Sequence, residues 1–250
     1  MQVSNTSYVN YNQVNQTLKN EKSSSNSFST DLENQKSTEN TQSSGKYINY
    51  MKQFNHFSKL SSEDREVFLK ILEDDKITLA EMDSLSYEQA EKFEYIAFPQ
   101  GSLTKEQLSN VPIVSMPNQI PDMLFATRTT NDKTFNKALY ETAREISNDN
   151  FRSTVFGEVK VNLSQAHFGF EILSSFNAGA EVKNLWQDDV DSMNIDFDKF
   201  LNDVINLHEK AISNSKTHPA VIQQHQESLD GYNIIKKHYY NIKNEVSSYA

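Results

Sequence analysis

Histidine and carboxylate side chains are the residues of this 250-residue chain that could do chemistry, and they gather in two places. His208, His218, His225 and His238 fall in the C-terminal segment. No two of them have the spacing of four that puts two imidazoles on one helical face, and none forms H-E-x-x-H, so packing explains them better than zinc. His225 falls inside an apolar stripe and reads as a hydrogen-bonded core histidine. The second gathering, "WQDDVDSMNIDFDKF", offers Asp188, Asp189, Asp191, Asp196 and Asp198, without the glycine and ligand spacing of a hard-metal loop. Asp196 suits a helix cap, Asp198 the positive end of a helix dipole, and the only tryptophan, Trp186, a core anchor. His167, Trp186 and nearby aromatic and acidic residues converge within 151–195, which makes that region the alternative place for a small-ligand site.

A further acidic stretch, "ILEDDKITLAEMDSLSYEQ" from Ile71, tests for calcium. A loop of that type takes oxygen ligands at positions 1, 3, 5 and 12, glycine at 6 and an apolar residue at 8. With Ile77 at position 8, Asp74 and Glu81 fall at ligand positions 5 and 12, but Asp75 stands at 6 and Lys70 and Leu72 at 1 and 3. The stretch resembles only the distal half of an EF-hand. An ammonium and an isobutyl group cannot replace two carboxylates around a hard cation, so the segment is expected to be a metal-free helix-turn-helix.

Composition narrows the classes further. A net charge of -10 and a pI near 5.1 oppose binding to phosphate backbones, so no nucleic-acid partner is expected. The absence of cysteine removes disulfides, thiolate metal sites and cysteine nucleophiles. No G-x-S-x-G, phosphate-cradling loop or dinucleotide fingerprint occurs, and no cofactor or catalytic residue is implied. The start has neither a basic nor an apolar signal region, and no run approaches the roughly 18 apolar residues of a membrane span. A cytoplasmic location, or export without a cleaved signal peptide, is left.

The elements that must position these groups are mainly α-helical, a bundle-like body behind a polar tail. Residues 1–45, dominated by Ser, Asn, Thr and Gln, carry no periodic apolar face and are expected to be disordered. From Lys46, the residues Tyr47, Tyr50, Met51, Phe54 and Phe57 recur at steps of three and four, predicting a helix with an aromatic stripe that is buried or faces a partner. A second helix opens at Ser61 and Ser62. Capping boxes follow at Thr78/Glu81, Ser86/Gln89 and Thr104/Gln107, so 46–110 reads as a subdomain of short helices with the degenerate helix-loop-helix inside it.

Pro99, Pro112, Pro117 and Pro121 mark "VPIVSMPNQIPDM" as an extended connector, and a helical domain is expected over 122–250. Within it, Val159, Val161 and Leu163, then Phe168, Phe170 and Ile172 around Gly169, alternate with other residues and predict a small β-hairpin near 155–173. Two long helices close the chain. One runs through Phe197, Leu201, Val204 and Ile205; the other is opened by Pro219 and runs through Ile222, Leu229, Tyr232, Ile235, Tyr239, Ile242 and Val246, with "SNSKTHP" as the turn of an antiparallel hairpin.

The layout of polar start, cysteine-free body and aromatic-edged helical end is similar to that of flagellar or type III exported proteins, and the Asn/Lys/Ser-rich, Gly-poor usage suggests an AT-rich bacterial genome. That likeness transfers no residue role. Aromatic helices without a chemical motif point to a non-enzymatic helical interaction protein that engages an unidentified protein partner, with a secretion or flagellar apparatus as the setting the likeness implies; the alternative is a cytosolic enzyme or small-ligand-binding domain with its site in 151–195.

Overall fold

The computed structural model describes residues 45–98, 103–112, 119–172 and 183–248. The predicted disordered tail lies outside them, except for Gly45. The architecture is all helix among the described residues: α1 (Lys46–Gln53), α2 (Ser62–Leu72), α3 (Leu79–Asp83), α4 (Tyr87–Ala97), α5 (Lys105–Leu108), α6 (Gln119–Ala126), α7 (Lys133–Glu145), α8 (Asp149–His167), α9 (Gln187–Asp191), α10 (Phe197–Ser213) and α11 (Pro219–Ser248), with a 3-10 turn at His56–Lys59. Local chemistry sets most helix starts. All three capping boxes form, at Thr78/Glu81, Ser86/Gln89 and Thr104/Gln107. Asp132, Asn148 and Asp196 accept from the backbone N–H three residues on and open α7, α8 and α10.

The core is one continuous apolar cluster that takes residues from every helix except α5 and α9. Its centre lies where α11 packs along α7 and α10. There Phe135 stacks on Phe197 at 4.2 Å between ring centroids, and Tyr239 meets the edge of Phe135 at 5.9 Å. The antiparallel C-terminal hairpin forms, though its stripe is buried only in part. Tyr232, Ile235, Tyr239 and Ile242 are in the core, Ile222 and Leu229 are half-buried, and Val246 is 60% exposed in the last turns of α11. Helix α11 also lies close against α8, because Gly231 has no side chain: a Cβ there would sit 2.3 Å from Val155 Cγ2.

Two expectations need correction. The β-hairpin is absent among the described residues; α8 runs unbroken from Asp149 to His167 through Val159, Val161 and Leu163. Its buried face includes Arg152, Glu158, Asn162, Ser164 and Gln165 beside Val155, Phe156, Val159 and Leu163. Those polar residues interrupt the helical apolar period and leave the period-two alternation as the visible signal. Gly169, expected within the second strand of the hairpin, ends the helix instead. With φ +73 it occupies the left-handed position of a Schellman motif, in which Phe170 N donates to Gln165 O at 2.8 Å and Gly169 N to Ala166 O. The proline-rich connector is likewise shorter than expected. Residues 113–118 lie outside the described set, and from Gln119 the chain is helical, with Pro121 in the first turn of α6, where its missing N–H breaks no helical bond.

Candidate interaction site

The end of the bundle where α8 stops and α10 starts brings together the residues expected at 151–195. The Schellman turn leaves Phe168 and Phe170 half-buried on the surface, with Lys183 Nζ over both rings at 5.1 and 4.9 Å. Ser164 Oγ donates to Lys183 O at 2.5 Å and ties the returning chain to α8. Asp189 then joins the two predicted residues. Its Oδ2 accepts from Trp186 N at 2.8 Å, capping α9, and its Oδ1 lies 3.7 Å from His167 Nε2. His167 packs edge-on against Phe168 at 4.7 Å.

Trp186 is 60% exposed, so the expectation of a core anchor is wrong. It stands at the N-cap of the five-residue α9, its backbone N–H donating to Asp189 Oδ2, and its ring lies largely in solvent. Beside this cluster is an open concavity of about 480 Å3. Apolar groups on Phe170, Ile172, Ile195 and Phe200 line it, together with Glu171, Asp196 and Asp203, and Lys199 is paired to Asp203. With Asp188 and Asp191 on α9, this end of the molecule is strongly acidic.

The remaining sequence candidates are elsewhere. Tyr47, Tyr50 and Met51 are buried in the chain's own core, and Phe54 and Phe57 are half-buried, so the aromatic stripe of α1 faces inward. Asp75 takes φ +58, the left-handed turn a calcium loop gives to glycine, but it uses its carboxylate to accept from Lys46 N and Tyr47 N at 3.0 and 3.2 Å. It thereby caps α1 from 29 residues away. Asp74 accepts from Lys76 N, Glu81 reaches back to Thr78, and Leu72 is in the core, so the carboxylates at positions 5, 6 and 12 of the EF-hand-like stretch are all taken up by backbone N–H groups.

The histidines separate as well. His218 accepts from Ala220 N at the start of α11, and His238 approaches Glu145, which also pairs with Lys237. His208 and His225 meet in the core. Among the described residues no group of three His, Cys, Asp or Glu is placed to hold a metal ion, and no helix is long and apolar enough to cross a membrane. No family model, curated protein or solved structure matches the chain.

The sequence missed the His208–His225 pair and its carboxylate partner Glu158. A signal for the first existed, because the two histidines are about equally distant from the middle of the 214–218 turn and an antiparallel hairpin must bring them opposite each other. Nothing local marks Glu158.

Proposed function

We propose that this chain is a helical protein-interaction module that docks a basic segment of a partner protein at the acidic end formed by Phe168–Ile172, Trp186 and the first turns of α10. The observation that carries this reading is an apolar-lined, acid-edged concavity at the end of α8, together with Trp186, which is 60% exposed and whose backbone N–H is bonded to the Asp189 that reaches His167 at that same helix end. Large aromatics are the usual anchors of interfaces, and burying one on binding recovers apolar area that folding left in water. The carboxylates of Glu171, Asp188 and Asp191 favour lysine and arginine around that anchor. The Glu158, His208, His225 and Ser228 side chains take no part in this site, since they are buried in the core.

Selection of peptides from a displayed random library against the purified chain tests this. Enriched peptides should combine apolar and basic residues, and their binding should shift the emission of the single tryptophan to the blue. W186A should weaken them about 30-fold, the effect of losing a contact worth about 2 kcal/mol. Peptides that bind W186A equally well, or that carry net negative charge, would refute the site.

A small-ligand reading has one observation in its favour, since the concavity lies within the roughly 300–1,000 Å3 span of ligand pockets. A thermal shift with a metabolite set, abolished by F170A, would favour that second reading over the first.

A further inference from the structure

The last turn of α8 sets two aromatic rings beside one another. Phe168 closes the helix and Phe170 follows Gly169, whose φ of +73 turns the chain so that the two rings stand 6.4 Å apart between centroids and 42° from parallel. Both faces reach one point. Lys183 Nζ occupies it, 5.1 Å from the centre of Phe168 and 4.9 Å from that of Phe170. The face of a ring carries the negative side of its quadrupole, so two faces that share a point make a place for a positive charge.

The way Lys183 is held separates its backbone from its ammonium. Ser164, 1% exposed on α8, donates its Oγ to Lys183 O and fixes the backbone to the helix. The ammonium has no such tie. In a chain with 34 Asp and Glu against 24 Lys and Arg, it pairs with no carboxylate among the described residues, and the two rings are its partners. Lys183 is also exposed, so its flexible four-carbon stem can swing into water while the backbone stays where Ser164 holds it.

We infer that Phe168 and Phe170 form a subsite for the ammonium of a lysine, filled in the free chain by Lys183 as a stand-in and taken over by a lysine of the bound partner segment. This rests on the reading of the acidic end as the dock for a basic segment. Phe170 also lines the concavity, so a lysine seated on the two rings leads its neighbours in sequence into that apolar space. The tilt between the rings sets the preference for lysine: a planar guanidinium lies flat on one face at a time, whereas a compact ammonium meets both. Exchanging one lysine for another gains nothing by itself. A segment therefore displaces Lys183 only when its other side chains fill the concavity or cover Trp186, which makes the stand-in a filter against polycations that offer charge alone. An exposed contact of this kind, formed within the chain, weakens any incoming ammonium by about threefold to sixfold.

Two measurements on the full chain test the subsite and the exchange. In the first, n-butylammonium chloride, the lysine side chain without its backbone, is titrated at a constant ionic strength of about 0.5 M, where charges more than about 5 Å apart are screened. The ring resonances of Phe168 and Phe170 should shift about three to six times more steeply with its concentration in K183A than in wild type. Equal slopes in the two chains would overturn the subsite. In the second, the ε-methylene resonance of Lys183 is followed while lysine-bearing peptides enriched from the displayed library are added. Ring currents should hold that resonance upfield in the free chain and release it to its ordinary position at saturation, and acetylating the peptide lysines should abolish the release. An upfield resonance that persists under a saturating peptide would overturn the exchange, and if W186A weakens that same peptide the dock itself still stands. Peptides that bind W186A equally well and still release Lys183 would refute the tryptophan anchor and support the subsite.

Discussion

Replacing Gly231 by alanine separates the close packing of α11 on α8 from helix propensity, because the two act in opposite directions. In an open helix the change would stabilise by about 1 kcal/mol, the propensity difference between the two residues. Here the new methyl would stand 2.3 Å from Val155 Cγ2 and 2.9 Å from Cγ1, and Val155 is fully buried. Forcing an extra carbon into such a site costs about 1–3 kcal/mol, so after the propensity gain G231A should lose up to about 2 kcal/mol. V155A alone deletes two buried methyl groups, at about 0.8 kcal/mol each before any cavity cost. In the double variant the methyl introduced by G231A enters the space the valine vacated, and the two changes should couple favourably by about 1–3 kcal/mol. Urea unfolding of the four chains, with m-values checked for equality, measures that coupling. Additive effects, or a G231A chain more stable than wild type by about 1 kcal/mol, would show that α8 and α11 are not in contact there.

Other outcomes follow from single contacts. D75A removes the side-chain acceptor of two α1 amides and should lower stability by about 1–2 kcal/mol, as read by chemical denaturation, while D75N, which keeps one acceptor oxygen, should lose less. Calcium should leave the melting midpoint unchanged in wild type and in E81Q alike, since Asp74, Asp75 and Glu81 already accept from backbone N–H groups; a saturable rise in wild type alone would refute that assignment. Burial first, and the nearby Lys59 second, hold His56 below the ordinary histidine value, so its contribution is present above about pH 6.5 and is lost as pH falls. H56F, placed among Tyr50, Phe54 and Tyr95, should therefore flatten the acid decline of the melting midpoint, and an unchanged decline would count against it.

What could be read from the sequence was the chemistry that acts over three or four residues. The capping boxes and the caps at Ser61 and Asp196 are of this kind, since donor and acceptor are neighbours in the chain. The hairpin turn was legible for the same reason. Helix α8 was not, because its partners are distant: Glu158 and Asn162 are buried only by virtue of residues 70 positions away, and a polar residue looks solvent-facing until its partner is known. Trp186 fails in the opposite direction: a large apolar residue expected inside stands at the N-cap of α9 with its ring 60% exposed. The acidic stretch at Asp74 and Asp75 showed what it could not bind, but not that Asp75 serves a helix far upstream.

The polar face of α8 carries an evolutionary consequence. An apolar helix can slip along its neighbours and find other sockets, whereas one bearing Glu158 and Asn162 has teeth that fit only the Ser228, His208 and Tyr232 now opposite them. Drift at these positions is then constrained to move in step. In related chains, replacement of Glu158 by a neutral residue should accompany replacement of His208, with surface positions such as Glu209 free to change alone. Once such sequences are aligned, that pairwise exchange would mark the α8–α10–α11 junction before any of their structures is known.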